Sequence, residues 1–164
     1  MKLLWLLLDT GELSVRDLAL ESEMTQPNAS IQLKTLRAAG LIRFRREKMS
    51  VIYRVEADER VECAEALVSA LRKCCKRSVS FESVIRQATA YTHERRIEIV
   101  QALNNGPLSY NQLLDQSGMN SSALSRHLRK LTVRGVVRRE NDVYRIVRPA
   151  DPFGRVLLRL ARSC

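Results

Sequence analysis

Between Asn120 and Arg139 the chain carries no acidic residue, while Arg126, Arg129, Lys130, Arg134, Arg138 and Arg139 supply cations and Ser121, Ser122 and Ser125 supply hydroxyls. A guanidinium can bridge O6 and N7 of guanine, and serine, lysine and further arginines hydrogen-bond phosphate oxygens. Arg126 is therefore read as the base-contacting residue, with Ser121, Ser122, Ser125, Arg129 and Lys130 on phosphates. His127 is read either as a hydrogen-bonding partner of DNA or as a packing residue. Arg138, Arg139 and, further on, Arg145 are expected to reach an adjacent backbone or minor groove. The competing reading is a solvated helix face, but such faces usually mix signs.

A second, weaker set lies near the other end of the chain. Gln26, Asn28, Gln32 and Lys34 share one short segment, where Gln and Asn can read adenine, and Arg45 and Arg46 follow as phosphate contacts. Ile31 stands where the stronger set has Arg126. This segment is expected either to touch DNA or to position or dimerise the protein.

The elements that must position these residues emerge from self-comparison. A shift of 95 residues lays residues 11–43 on 106–138 without a gap, and 11 of the 33 pairs are identical, among them Leu33/Leu128, Leu36/Leu131, Gly40/Gly135 and Arg43/Arg138. Beyond Arg43 the register shifts by four, so that Tyr53-Arg54-Val55 pairs with Tyr144-Arg145-Ile146, which predicts a longer loop in the first copy. Each copy reads as helix, helix, turn, helix and β-hairpin. In the second, Thr92 is expected to cap a helix carrying Ile97, Val100 and Leu103. Ser109 and Gln112 form a capping box, and Asn120 or Ser121 caps a helix whose Leu124, Leu128 and Leu131 recur at i, i+4 and i+7. Val136–Arg139 and Val143–Val147 flank a polar tip, the pattern of a wing.

The fold class is thus mainly α with small β-hairpin wings: tandem winged helix-turn-helix modules joined by linker helices. The expected boundaries are a first winged-helix domain over 1–57, linker or dimerisation helices over 58–90, a second winged-helix domain over 91–148 and an amphipathic C-terminal helix over 149–164. A helix is expected over Asp58–Arg77, with Val61, Ala64, Leu67, Val68 and Leu71 on one face, and another after Ser80. Asp151-Pro152 should open the last helix, with Val156, Leu157 and Leu160 on its apolar face. The linker and last helices are candidates for a homodimer surface.

Composition agrees with such a molecule. The 164 residues are 45% hydrophobic but only 5% aromatic, which suits packed helices better than a β-sandwich. The net charge of +10 is unevenly spread: residues 1–56 hold 9 basic and 7 acidic side chains, residues 57–90 hold 6 and 5, and residues 91–164 hold 13 and 6. A polyanionic partner is expected, and the second copy is its expected site. The apolar run Leu3–Leu8 ends at Asp9 with no small-residue cleavage site, and no stretch approaches the length of a membrane span. The expectation is a cytoplasmic, nucleoid-associated protein that does not enter membranes.

Enzymatic function is not expected, since no Gly-rich phosphate loop, HExxH, GxSxG or zinc-finger spacing occurs. Of the four cysteines, Cys63 and Cys74 lie 11 residues apart, about 16 Å along a helix, too far for one metal to bridge. Cys74-Cys75 are read mainly as small apolar packing residues, with a soft-metal or redox role as the alternative. No cofactor or metal is expected. RNA is less favoured than DNA because no aromatic platform interrupts the basic stretches. A protein-interaction scaffold with weak or no DNA binding is the rival function.

Ser121-Ser122-Ala123-Leu124-Ser125-Arg126-His127-Leu128-Arg129-Lys130-Leu131, with Gly135-Val136-Val137 and a wing ending in Val143-Tyr144-Arg145, resembles the recognition helix and wing of ArsR-type winged-helix repressors. Thr92–Val100 is similar to that family's opening helix. Leu33–Arg43 and Tyr53-Arg54-Val55 follow the same pattern or the related MarR one. The resemblance implies transcriptional regulation through double-stranded DNA, often as a dimer and often with an effector. Family members usually carry one such module, whereas two are fused here. Metal-sensing members place a cysteine pair at the start of the helix before the turn, and neither Ser14–Leu20 nor Ser109–Leu114 contains a cysteine. Their metal site is not carried over.

Overall fold

The computed structural model describes residues 1–163, so Cys164 lies outside the described residues. The chain divides into two compact units, Met1–Phe81 and a second from Glu82 onward. The segment 58–90, expected as a separate linker, is shared between them.

In the first unit, α1 (Lys2–Thr10) buries Leu3, Leu4 and Leu7, and β1 (Glu12–Ser14) leads into α2 (Val15–Glu21). Ser14 caps α2 by accepting from the Asp17 N–H at 3.2 Å. Thr25 caps α3 (Gln26–Ala38), with Pro27 at its second position, and Ala29, Leu33 and Leu36 face the core. The strands β2 (Ile42–Glu47) and β3 (Ser50–Val55) form the wing, and β1 joins them in an antiparallel sheet of order β1-β3-β2. The four additional residues of this wing do not make a longer loop. They lengthen both strands to six residues, and Glu47 still pairs with Ser50 across a two-residue turn.

The linker helix is shorter than its periodicity predicts: α4 spans Ala64–Lys76, and the residues before it form turns ending at Cys63, whose φ is 71°. Cys63 therefore precedes the helix, while Cys74 is buried within it. Val61 packs on Gly40, where an added Cβ would sit 2.7 Å from the Val61 Cβ, and Gly40 itself has φ +69°. α4 packs against α1.

The second unit repeats the plan: α5 (Phe81–Ala88), a 3-10 turn (Thr89–Tyr91), α6 (Glu94–Ala102), β4 (Leu108–Ser109), α7 (Tyr110–Ser117), α8 (Ser121–Val133), β5 (Val137–Glu140), β6 (Val143–Ile146) and α9 (Pro152–Ser163). The sheet order is β4-β6-β5. One core joins Ile99, Val100 and Leu103 with Leu113, Leu124, Leu128, Leu131, Val136 and Val137, and with Leu158 and Ala161 of α9. The predicted capping box of Ser109 and Gln112 is present, Asn120 caps α8, and Gly118 takes the left-handed conformation between α7 and α8. The cap of α6 is His93 rather than Thr92, with its Nδ1 accepting from the Arg95 N–H. The Thr92 hydroxyl instead donates to the Thr89 carbonyl and accepts from Arg96. α9 buries Phe153, Leu158 and Ala161, leaving Val156, Leu157 and Leu160 half-buried. Among the described residues, no helix is long and apolar enough to cross a membrane.

Candidate nucleic-acid interface

In the helix-turn-helix geometry the second helix of the motif enters the major groove, so α8 and α3 are the elements whose exposed faces matter. The core stripe of α8 is Leu124, His127, Leu128 and Leu131, and the opposite face exposes Ser121, Ser122, Ser125, Arg126 and Arg129, with Lys130 half-buried at its margin. No ion pair joins Arg126, Arg129 or Lys130 to a carboxylate among the described residues.

Two serines of this face are organised by a residue that the sequence reading did not single out. The Tyr110 hydroxyl, at the start of α7, lies 2.8 Å from the Ser121 Oγ and 2.9 Å from the Ser125 Oγ, and donates to the Ser121 carbonyl. Hydrogen bonds from Ser121 and Ser125 hold the Tyr110 phenol below its ordinary pKa. The two helices of the motif are thus tied together at the end where α8 begins.

His127 is not on the exposed face. It is 4% exposed, its ring centroid lies 4.6 Å from that of His93, and its Nδ1 has no hydrogen-bond partner among the described residues. Its DNA-contact reading is corrected to packing: position 127 precedes Leu131 by four residues and so falls on the core stripe. Burial first, then the neighbouring charge of His93, Arg126, Arg96 and Lys130, holds its pKa below the ordinary value.

Behind α8 sits a buried cation. Arg96 is 5% exposed and donates to the carbonyls of Ala90 at 2.7 Å and Thr89 at 2.9 Å and to the Thr92 hydroxyl at 2.8 Å. Arg134, expected on the exposed face, instead donates to the Thr89 hydroxyl and the Lys130 carbonyl. These bonds pin the 3-10 turn to α6 and to the end of α8.

The wing arginines are placed together but are not free. Arg138 and Arg145 face each other across the strands, and Glu140 holds both, at 2.7 and 3.2 Å. Arg139 pairs with Asp142 at 2.6 Å, and its guanidinium lies over the Tyr144 ring. The first wing has the same device, with Arg43 opposite Arg54 and Glu56 engaging both. There Glu12 also takes Arg45 at 2.8 Å and Arg54 at 3.6 Å, while Arg46 has no ion pair among the described residues.

On α3, Gln26, Asn28 and Lys34 are exposed, but Gln32 is half-buried and donates to the Met24 sulfur. Ile31 is 65% exposed, and Leu20 on α2 is 77% exposed. The two copies thus present different chemistry from the same scaffold. Among the described residues, no group of three or more His, Cys, Asp or Glu side chains converges as a metal site requires.

Comparison with known proteins places both copies. The pattern described as bacterial regulatory protein, arsR family, matches residues 1–43 and again residues 93–139. The biofilm growth-associated repressor of Agrobacterium fabrum (strain C58) is 40% identical over 57 residues, covering 35% of this chain and 49% of that protein. The chain thus spans about half the length of this curated relative. Among solved structures, the homodimeric winged helix-turn-helix DNA-binding domain of a possible ArsR-family transcriptional regulator from Mycobacterium bovis is 26% identical. That alignment covers 54% of this chain and 82% of that domain, with a TM-score of 0.42. With both of its repeats matched and more than half of its residues covered, the chain belongs to the arsR family of bacterial regulatory proteins.

Proposed function

We propose that the chain is a sequence-specific double-stranded DNA-binding transcriptional regulator whose second unit is the principal reader. The observation that carries this is the outer face of α8. Arg126 and Arg129 stand exposed and unpaired beside Ser122, on a helix with no acid, in the position that enters the major groove. Arg126 reads a base edge. Arg129, Lys130, Ser121 and Ser122 hold phosphates, and Ser125 is oriented by Tyr110. The wing arginines contribute after exchanging Glu140 and Asp142 for DNA phosphates. A cytoplasmic location beside the nucleoid and homodimerisation through the linker and C-terminal helices belong to the same proposal.

Fluorescence anisotropy on an operator selected from random duplexes tests it. Arg126→Ala should cost about 1–3 kcal/mol on the selected site and much less on random DNA, while Lys130→Ala should weaken both alike. Equal losses on both duplexes for Arg126→Ala would refute base readout by this residue.

For the first unit, the exposed Ile31 and Leu20 favour a second reading, in which this helix-turn-helix meets an apolar protein surface rather than base edges. Ile31→Arg should then leave DNA affinity nearly unchanged or raise it, while weakening association with the partner or a second protomer.

A further inference from the structure

We propose that the second unit carries a binding site for a small, multiply charged anion of the oligophosphate class, in the cleft between α9 and the chain leaving β6. The cleft is open to solvent, encloses about 620 Å³, and is lined by Arg148, Arg155, Arg159 and Arg162 around the apolar side chains of Ile146 and Leu158. That volume suits a small ligand rather than a duplex.

Three of the arginines, Arg155, Arg159 and Arg162, recur at i, i+4 and i+7, which gathers them on one face of α9. Like charges at this spacing oppose helix formation. No ion pair joins any of the four arginines to a carboxylate among the described residues. This contrasts with both wings, where every facing arginine pair shares a glutamate. The wings show what charge compensation looks like in this chain, and no carboxylate among the described residues supplies it in the cleft.

Guanidinium forks match phosphate oxygens in bidentate geometry, and four of them suit a ligand bearing three or more negative charges better than a single carboxylate. Ile146 and Leu158 give the ligand's uncharged part an apolar surface. The four arginines also lie outside residues 93–139, the part of this unit that matches the family pattern.

Calorimetric titration of the full chain with inorganic tripolyphosphate, at about 0.15 M salt, tests the proposal. A single saturable site in the micromolar range is expected. The triple variant Arg155→Gln, Arg159→Gln, Arg162→Gln keeps the buried Leu158 and Ala161, and should bind about tenfold more weakly or not at all. The matched variant Arg126→Gln, Arg129→Gln, Lys130→Gln removes the same charge from α8 and should leave tripolyphosphate binding unchanged while lowering DNA affinity. Arg148→Gln lies outside the helix, so its own loss of tripolyphosphate affinity decides the matter if the triple variant does not fold. Absence of saturable binding, or equal losses from the α8 and α9 variants, would overturn the site. So would a result in which DNA displaces tripolyphosphate and the α9 variant loses DNA affinity as strongly as the α8 variant, because the arginines would then serve the DNA backbone.

Discussion

Glu140 sits between two arginines that the proposed function sends to DNA, so its removal gives a quantitative test of the wing. In Glu140→Gln the guanidiniums of Arg138 and Arg145 lose a shared carboxylate at 2.7 and 3.2 Å, and the wing gains one net positive charge. Both ion pairs are solvent-exposed, so the folded state should lose only about 0–1 kcal/mol. A unit charge about 7 Å from a phosphate contributes about 0.6 kcal/mol in water, and about half of that once screened at 0.1 M salt. Over roughly two or three phosphates near the wing, removing the repulsive carboxylate should gain roughly 0.6–0.9 kcal/mol, a Kd about three- to fivefold tighter. The salt dependence should also steepen, by about 0.9 in log–log slope for each phosphate newly neutralised. Fluorescence anisotropy on one labelled duplex across a salt series reads both quantities. Glu12→Gln, which takes one of two carboxylate partners from each of Arg45 and Arg54 while Glu47 and Glu56 stay in place, is the first-wing comparison and should have the smaller effect if the second unit is the reader. Unchanged affinity and slope for Glu140→Gln would refute the placement of this wing on DNA.

The repeated glycines should respond unequally to alanine. Gly135→Ala meets no neighbouring atom and should cost only the left-handed backbone term, about 1–2 kcal/mol, whereas Gly40→Ala adds a collision with Val61 and should cost more by urea denaturation. Arg96→Leu removes three hydrogen bonds and takes the guanidinium donor from the Ala90 carbonyl, while the Thr89 carbonyl keeps the Thr92 hydroxyl, so chemical unfolding of the second unit should lose about 2 kcal/mol, and unchanged stability would mean these bonds hold nothing. His127, facing His93 at the cap of α6, Arg96 from α6, and Arg126 and Lys130 from its own helix, has a pKa lowered chiefly by burial, so the unfolded chain binds more protons. Stability should be full above about pH 6.5 and fall as the pH drops through that value toward the folded pKa, a dependence that His127→Gln should flatten in urea titrations at a series of pH values.

Much of this architecture was readable because the signals were local or repeated. The capping box at Ser109 and Gln112, the cap at Asn120 and the glycines closing the helices depend on neighbours within a few residues, and the 95-residue repeat doubled each signal. The misreadings involve distance or residue type. His127 is polar, so residue type leaves DNA contact and packing both open, and its spacing from Leu124 and Leu131 decides for the core stripe, as Gln32 is half-buried in the first copy. The pairing of Glu140 with Arg138 and Arg145 requires the hairpin register, which composition does not give. The strands β1 and β4, of three and two residues, are too short to carry a periodic signal. Arg96 was hidden for the opposite reason to His127: a charged residue on a helix is read as exposed, and only the carbonyls of the adjoining turn make its burial tolerable.

The two copies show how one scaffold separates its roles through a few side chains. Both keep the core leucines of the third helix, the left-handed glycine behind it and the glutamate-bridged arginines of the wing, because these determine packing and wing geometry. They differ at the outward positions, where Ile31 corresponds to Arg126. An exposed isoleucine gains nothing from a base edge beyond contact with a thymine methyl, and it loses free energy by remaining in water, whereas an unpaired arginine gains most from a guanine or a phosphate. The same backbone position therefore favours an apolar surface in one unit and a polyanion in the other. Exchanging the two residues, Ile31→Arg together with Arg126→Ile, should move DNA affinity toward the first unit only if the face alone decides. A swapped protein that loses DNA binding altogether would show that the first unit's wing and turn no longer support docking.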